Sequence, residues 1–353
     1  MRNFLKLILL VLAVSQFGAA NQDSLKKISF QSEWRNRYTD RTGDEANNLG
    51  NKGFKGSNRN RSRFRNTTSG TMKLSDEFDM DGNFRILRNQ DVIYGKPSTR
   101  TSEQELWETE FSLTKNLKLG NLDTKWNLGW ENKTNRARAE KTSGSYKTTG
   151  ASNEIYFGPS FDLKLFGQKI GTSLQLAYFD IKDNKTGDYY LTGSKLARGK
   201  GEGWGINLNL NNSNDILKGK YGTLSYSINL LNKLRDIRGE IAATNEEAKS
   251  SVYLDYVTNL VYTTPSFAGF TAFVSPGNEY EKHTAKTGYD NTFTIWTGIG
   301  YKKSIETNVG TITLNPSVKY SALERYTYKT KNNKKTIERN ELRTGITVSL
   351  ATK

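Results

Sequence analysis

Four arginines recur at every second residue in one short segment of this sequence: Arg59, Arg61, Arg63 and Arg65. In an extended strand, side chains two residues apart leave the same face, so this spacing predicts a single row of guanidinium groups. The row cannot face lipid, where a charged side chain at mid-depth costs about 2–4 kcal/mol. It therefore predicts an aqueous surface with a strong positive field.

Other charged residues alternate with apolar ones in the segments expected to lie beside or opposite this row. We predict that the following residues line one aqueous pore: Arg35, Arg37, Arg59, Arg61, Arg63, Arg65, Arg85, Glu108, Glu110, Arg339, Glu341 and Arg343. Glu108 and Glu110 either face the basic wall across the interior or pair with Arg85 beside them. The alternative for the arginines is a solvated face near the rim, where they hold loops or lipopolysaccharide phosphates.

The elements that would position these charges are β-strands. Residues 26–40 read KKISFQSEWRNRYTD, in which apolar residues from Ile28 to Tyr38 alternate with polar ones. Period-two alternation predicts a strand with one apolar and one polar side. The pattern recurs about fourteen times, an even number, as bacterial outer-membrane barrels require.

The connections between these segments alternate between long polar stretches and short turns. An up-and-down barrel with longer extracellular loops and shorter periplasmic turns predicts this alternation directly. The long stretches are 41–57, 133–150, 182–200, 236–249, 276–290 and 324–336, with 95–101 as a weak member of the series that is no longer than a turn. The short ones are 75–79, 116–123, 164–171, 212–220, 263–267 and 302–310.

The predicted fold class is all-β, a transmembrane antiparallel up-and-down barrel of about fourteen strands, within a range of about 12–16. Alternation alone also fits a soluble β-sandwich. The loop alternation, an N-terminal signal peptide and an interfacial girdle of aromatic residues favour the barrel. The girdle is expected from aromatics toward strand ends, namely Trp34, Tyr38, Trp107, Trp126, Trp130, Tyr262 and Tyr301.

Composition narrows the class of protein further. The chain has 353 residues, 52 Lys+Arg against 36 Asp+Glu, and a mean hydropathy of −0.71, which argues against a bundle of membrane-spanning helices. Arg2 and Lys6, the apolar run 7–14 and the small residues before Asn21 are typical of a secretory signal peptide. We therefore expect a signal peptide over 1–20 and one barrel domain over 21–353. Removal of the signal peptide, with Arg2 and Lys6, lowers the net charge of +16 by two, to +14.

Catalytic and metal chemistry have few candidates in this sequence. There is no cysteine and a single histidine, His283, in the polar stretch 276–290 that we assign to a surface loop. Outer-membrane barrel enzymes use an imidazole for proton transfer near neutral pH. We predict no catalytic site, no metal site and no cofactor.

The positive charge raises the question of an anionic partner. It is spread over loops and alternate strand positions rather than collected on one recognisable nucleic-acid-binding fold, so we expect no nucleic-acid partner. The basic segments 133–150 and 324–336 are expected either to meet lipopolysaccharide phosphates or an anionic host ligand, or to be solvated only.

The opening ISFQSEWRNRY, the Arg-rich second strand and turns such as KNLKLGNLDTKW resemble the fusobacterial major outer-membrane porins. The resemblance is one of pattern and covers Ile28 to Leu350. It implies a water-filled, voltage-sensitive porin in the cell outer membrane, forming a homotrimer, in a family whose members can also serve as surface adhesins. We therefore expect passive diffusion of small hydrophilic solutes and ions through a basic, weakly anion-favouring lumen. The alternative is a surface adhesin or interaction barrel with ligand-binding extracellular loops.

Overall fold

The structure, a computed structural model, describes residues 28–42, 60–75, 77–94, 100–139, 147–165, 167–182, 199–241, 246–247, 251–283, 289–329 and 334–352. The predicted signal peptide and Arg59 lie outside these ranges. Within them, no helix has the length and apolar character needed to cross a membrane. The strands are β1 (Ile28–Thr42), β2 (Asn60–Ser75), β3 (Met80–Tyr94), β4 (Arg100–Leu119), β5 (Leu122–Ala139), β6 (Lys147–Leu165), β7 (Gln168–Lys182), β8 (Gly199–Gly219), β9 (Gly222–Ile241), β10 (Glu246–Glu247), β11 (Ser251–Thr263), β12 (Phe270–His283), β13 (Tyr289–Tyr301), β14 (Lys303–Glu306), β15 (Gly310–Lys329) and β16 (Lys334–Thr352).

The described strands form one antiparallel sheet that closes on itself. Of its 16 strands, the two-residue β10 pairs only with the end of β9, and β14 continues β13 by pairing with the first residues of β15. The other fourteen make the ring, which closes where β1 pairs with β16, from Ser29 opposite Ala351 to Thr42 opposite Glu338. A closed ring leaves no unpaired sheet edge, which is what lipid requires of a spanning sheet. The predicted all-β barrel of fourteen strands is confirmed.

The short predicted connections lie at one end of the barrel. Gly120 and Asn121 make the turn between β4 and β5, and Lys220 and Tyr221 make the one between β8 and β9. Gly120 has a φ of +60°, and no atom lies within 4 Å of the position where its Cβ would be. The left-handed backbone conformation, rather than lack of space, therefore favours glycine there.

The turn between β2 and β3 is tied to β4 by side chains. The carboxylate of Asp79, whose φ is +47°, accepts hydrogen bonds from Lys73 Nζ and, at 2.6 Å, from Asn116 Nδ2. The hydrogen bond from Lys73, and then the one from Asn116, lower the pKa of the Asp79 carboxyl because they stabilise its charged form. These contacts join three strands at the turn end.

At the opposite end the strands run further than the sequence predicts. Residues 276–283 of the predicted loop 276–290 belong to β12, and 324–329 of the loop 324–336 belong to β15. His283, predicted to lie in a loop, is the last residue of β12 and lies opposite Tyr253 in the register. Strands reach 21 residues, whereas crossing a bilayer takes about 9–11. Beyond the bilayer both faces meet water, so the ladder continues without the alternation that marks a strand in the sequence.

The same extension corrects the prediction about aromatic residues. Tyr262 and Tyr301 lie at the turn ends of β11 and β13, as predicted. Trp130 instead lies in the middle of β5 and stacks on Phe111, with ring centroids 6.0 Å apart and planes 9° from parallel. Trp34 also lies well inside its strand, β1. Because the strands continue past the part that crosses the membrane, Trp34 and Trp130 lie inside their strands rather than at the strand ends.

The two faces of the wall differ sharply in exposure. On β7, Ala177 and Phe179 are 1% and 0% exposed, whereas Leu176, which precedes them in the opposite phase, is 59% exposed. Trp204 and Ile228, on the same side as Leu176, are 66% and 37% exposed. The exposed phase is the apolar one, so the outside of the barrel is an apolar belt suited to lipid and the alternate positions face the interior.

Candidate functional site

The predicted basic wall is assembled from the two terminal strands and β2. In the register, Arg35 lies opposite Arg65, and Arg37 lies opposite both Arg63 on β2 and Arg343 on β16. All five positions have the phase opposite to the exposed apolar residues. The arginines that the sequence places far apart thus become neighbours on three adjacent strands.

A contact across a strand shows that this phase faces the interior. Arg343 Cζ, on β16, lies 4.3 Å from the ring centroid of Trp296 on β13, with β15 between the two strands. Side chains of non-adjacent strands approach each other on the concave side of a closed sheet. The basic wall is therefore on the inside of the barrel.

The described side chains cover only part of the predicted set. Arg59 lies outside the described residues. Arg37, Arg61 and Arg339 occupy strand positions in β1, β2 and β16, but their side chains are not among those described. Their register positions share the interior phase, with Arg61 opposite Thr39 and Arg339 opposite Arg41 on β1.

The described arginines of the wall are only partly neutralised. Arg35 Nε lies 3.7 Å from Glu33 Oε1, and Arg343 Nε is hydrogen-bonded to Glu341, which is fully buried. Arg65 Nε donates instead to the uncharged Oδ1 of Asn89, at 2.6 Å. In the part of the chain that the structure describes, no carboxylate oxygen lies within 4.0 Å of the Arg65 guanidinium. The wall therefore keeps a positive excess.

The structure decides between the two expectations for Glu108 and Glu110. Arg85 Nη2 lies 3.0 Å from Glu108 Oε2, and Arg85 Nη1 lies 3.8 Å from Glu110 Oε2. Tyr156, on β6, also donates its hydroxyl to Glu110 Oε1 at 2.6 Å. Both glutamates pair with the arginine beside them rather than face the basic wall across the interior.

A second charged centre, which the predicted set does not contain, lies on the other side of the barrel. Arg235 Nη2 on β9 lies 3.2 Å from Glu154 Oε1 on β6, and Asn207 Nδ2 donates to the same oxygen at 2.7 Å. Both side chains of the ion pair are almost completely buried, at 2% and 4% exposed. The alternation of Glu154 with Ile155 and Phe157 placed it on the interior face, but nothing local indicated its partner.

Gly205 has no side chain, and this allows Arg235 to reach across β8 to Glu154. A Cβ on Gly205, directly opposite Arg235 on β8, would lie 2.3 Å from Leu234 O and 2.9 Å from Arg235 Nη1. The guanidinium then lies over the ring of Phe179, with Cζ 5.4 Å from the centroid. Gly205 thus provides the path across β8.

Three carboxylates come together on the interior face near the loop end. One carboxylate oxygen from each of Asp255, Glu279 and Glu281 lies within 4.8 Å of the other two. Oxygen donors of this kind suit a hard cation such as Ca²⁺. Acidic groups gather in this way in many proteins without binding an ion, so proximity alone does not make this trio a metal site.

Taken together, the interior carries fixed charges at defined positions on rigid strands. One sector, formed by β16, β1 and β2, is basic, and the sectors on either side hold ion pairs and carboxylates. Low-dielectric walls focus such a field along the barrel interior, so the arrangement can attract anions and orient dipolar solutes.

Comparison with known proteins finds no match among protein-family models or curated proteins. Among solved structures, a FadL homologue from Pseudomonas aeruginosa has 8% identity and a TM-score of 0.45, covering 92% of this chain and 90% of its own. The Pseudomonas putida toluene transporter TodX has 9% identity and a TM-score of 0.41, over 93% and 90%. OprB from Pseudomonas putida has 13% identity and a TM-score of 0.33, over 90% and 92%.

Proposed function

We propose that the protein is an outer-membrane porin that passes small hydrophilic solutes and ions by passive diffusion through a basic, weakly anion-favouring lumen. No cofactor and no catalytic step are part of the proposal. The observation that supports it best is the row of Arg35, Arg65 and Arg343 on the interior of a closed barrel whose outside is apolar. The resemblance to the fusobacterial porins points to the same function.

The apolar belt supports the location in the outer membrane. Only helices and closed barrels satisfy their backbone polar groups within lipid, and bacterial barrels of even strand number span the outer membrane. The exposed side chains of Arg136 and Arg325, beyond the belt at the loop end, would then meet lipopolysaccharide phosphates. The turn end would face the periplasm.

Reconstitution into a planar lipid bilayer tests the proposal directly. We expect stepwise, ohmic conductance and, in a salt gradient, a reversal potential on the anion side. A barrel that inserts without conducting would instead favour the adhesin alternative, in which the extracellular loops bind a ligand. Conductance with cation preference would contradict the role of the basic wall.

Assembly into a homotrimer is a separate part of the proposal. In the middle of β2, the outward positions Asn66, Thr68 and Gly70 interrupt the apolar belt between Phe64 and Met72. Asn66 and Thr68 are hydrogen-bonded to Ser32 on β1, but the stretch offers lipid far less apolar surface than the rest of the belt, so we infer that a second copy covers it. A bulky side chain in this stretch tests the contact: Thr68→Trp should lower the trimer fraction in native gel electrophoresis, whereas Leu176→Trp, on a distant part of the belt, should leave it unchanged. Equal trimer fractions of the two variants would contradict this interface.

A further inference from the structure

The interior wall contains a cavity of about 510 Å³ beside the basic sector. Its lining comes from β11, β12, β13, β15 and β16 and is mostly polar, with an apolar, aromatic and cationic part made by Val257, Phe273, Trp296, Lys319 and Arg343. This volume is within the range of about 300–1,000 Å³ that holds small-molecule ligands. Apolar, aromatic and cationic groups thus share one space.

Trp296 holds the two cations of this cavity in place. Lys319 Nζ lies 4.8 Å from the centroid of its ring, and Arg343 Cζ lies 4.3 Å from it. Cations within about 6 Å of an aromatic face are attracted by the ring quadrupole. Trp296 alternates along β13 with the outward-facing Phe293, Ile295 and Ile299, so its ring lies on the interior face. The two cationic groups are therefore preorganised side by side.

The positive charge of this pair is not fully compensated. Arg343 is hydrogen-bonded to Glu341, but no carboxylate oxygen lies within 4.0 Å of Lys319 Nζ in the described part of the chain. An ammonium beside a guanidinium favours an anionic oxygen ligand, since charge-assisted hydrogen bonds are the stronger ones. A carboxylate with two acceptor oxygens matches two neighbouring donors.

Two further lining residues limit the charge of the anion. Glu279 and Glu324 also line the cavity, so the positive charge is local to Lys319 and Arg343, and two carboxylates lie elsewhere in the same space. One negative charge can lie against the two cations, whereas further charges on the solute would meet these carboxylates. Val257 and Phe273 offer apolar surface to the rest of the solute.

We propose that this cavity is a binding site for a small monocarboxylate with an apolar body, its carboxylate held by Lys319 and Arg343. The inference rests on the proposed function only in that such a solute would reach the site through the lumen. Phenylacetate is a suitable probe because it combines one carboxylate with one apolar ring.

The test is calorimetric titration of the full-length, folded barrel in detergent micelles. We expect phenylacetate to bind at least about tenfold more tightly than 2-phenylethanol, which lacks the charge, or inorganic phosphate, which lacks the apolar body. Lys319→Met should weaken phenylacetate binding about tenfold, and Lys319→Arg should retain it. Lys125→Met, an interior lysine outside the cavity, is the matched control.

Phosphate binding as tightly as phenylacetate, or equal binding by Lys319→Met and Lys125→Met, would overturn the proposal. Folding of each variant is checked by its heat-dependent migration in gel electrophoresis. Should Lys319→Met not fold, Trp296→Leu replaces it, since loss of the ring releases both cations and should weaken binding. Binding in micelles does not depend on conductance. A barrel that conducts but does not bind would therefore refute this site alone, and one that binds but does not conduct would refute only the porin.

Discussion

Arg235 and Glu154 form an ion pair across two intervening strands, with Nη2 3.2 Å from Oε1 and both side chains almost fully buried. The pair connects β9 to β6 over the interior surface of β7 and β8. It therefore ties four neighbouring strands together on the side of the barrel away from the basic wall.

Removing one member of this pair should destabilise the barrel strongly. Arg235→Met removes the guanidinium beside the buried, charged Glu154, and breaking a buried ion pair in this way costs about 3–5 kcal/mol. The double variant Glu154→Gln with Arg235→Met should recover most of that loss, because no charge is left buried. Urea unfolding of the barrel in lipid vesicles measures the free energy of unfolding of the double variant and of each single variant. A loss in the double variant equal to the sum of the two single losses would show that the two side chains do not interact.

A methyl group at position 205 should disturb the same pair. In Gly205→Ala the new Cβ would lie 2.3 Å from Leu234 O and would displace the Arg235 guanidinium. We expect a loss of about 1–3 kcal/mol in the free energy of unfolding. Gly219→Ala is the control, because no atom lies within 4 Å of its Cβ position. If the two variants unfold alike, the path of Arg235 across β8 is not as described.

Neighbouring residues of β9 should respond oppositely to the same substitution. Ile228 lies in the apolar belt, so Ile228→Arg should cost about 2–4 kcal/mol if it is near mid-bilayer. Ser227→Arg faces the interior and should be tolerated. Folding yield into vesicles and urea stability compare the pair. Equal tolerance would argue that the belt does not meet lipid.

Neutralising an arginine of the basic wall should change ion selectivity. Arg65→Gln removes a positive charge with no carboxylate oxygen within 4.0 Å among the described residues, so the reversal potential in a salt gradient should move toward cation preference. The wild-type anion bias should shrink with added salt, because the screening length falls from about 10 Å at 0.1 M to about 3 Å at 1 M. Lys118→Gln, exposed at the turn end, serves as the control. A reversal potential unchanged in Arg65→Gln would remove this residue from the conduction path.

The turn at Asp79 should stabilise the barrel in a pH-dependent way. Its pKa is lowered in the folded state by the hydrogen bonds from Lys73 and Asn116. The stabilisation is therefore present above the ordinary aspartate pKa of about 4 and is lost as pH falls through the lower, folded value. Thermal unfolding of wild type and Asp79→Asn should differ at pH 7 and converge in strong acid. A gap between their unfolding temperatures that persists at low pH would assign the difference to backbone strain at this left-handed residue.

The sequence alone was sufficient for the fold class and for the two faces of each strand. Side-chain direction alternates with a period of two, so the phase of Ile155 and Phe157 identified the lipid side and that of Arg63 and Arg65 the interior. These properties are local, because each needs only a few consecutive residues. Strand ends were less predictable, as His283 shows, because backbone pairing continues into polar segments where alternation stops.

Only the tertiary structure decided which charged side chains meet. Glu108 could have faced the basic wall, and the register of β3 against β4 placed it beside Arg85 instead. The contacts of Arg235 with Glu154, and of Trp296 with Lys319 and Arg343, depend on strand register and on closure of the ring. Neither is encoded in the alternation of a single strand, because shifting two strands relative to each other by two residues preserves both faces while changing every neighbour.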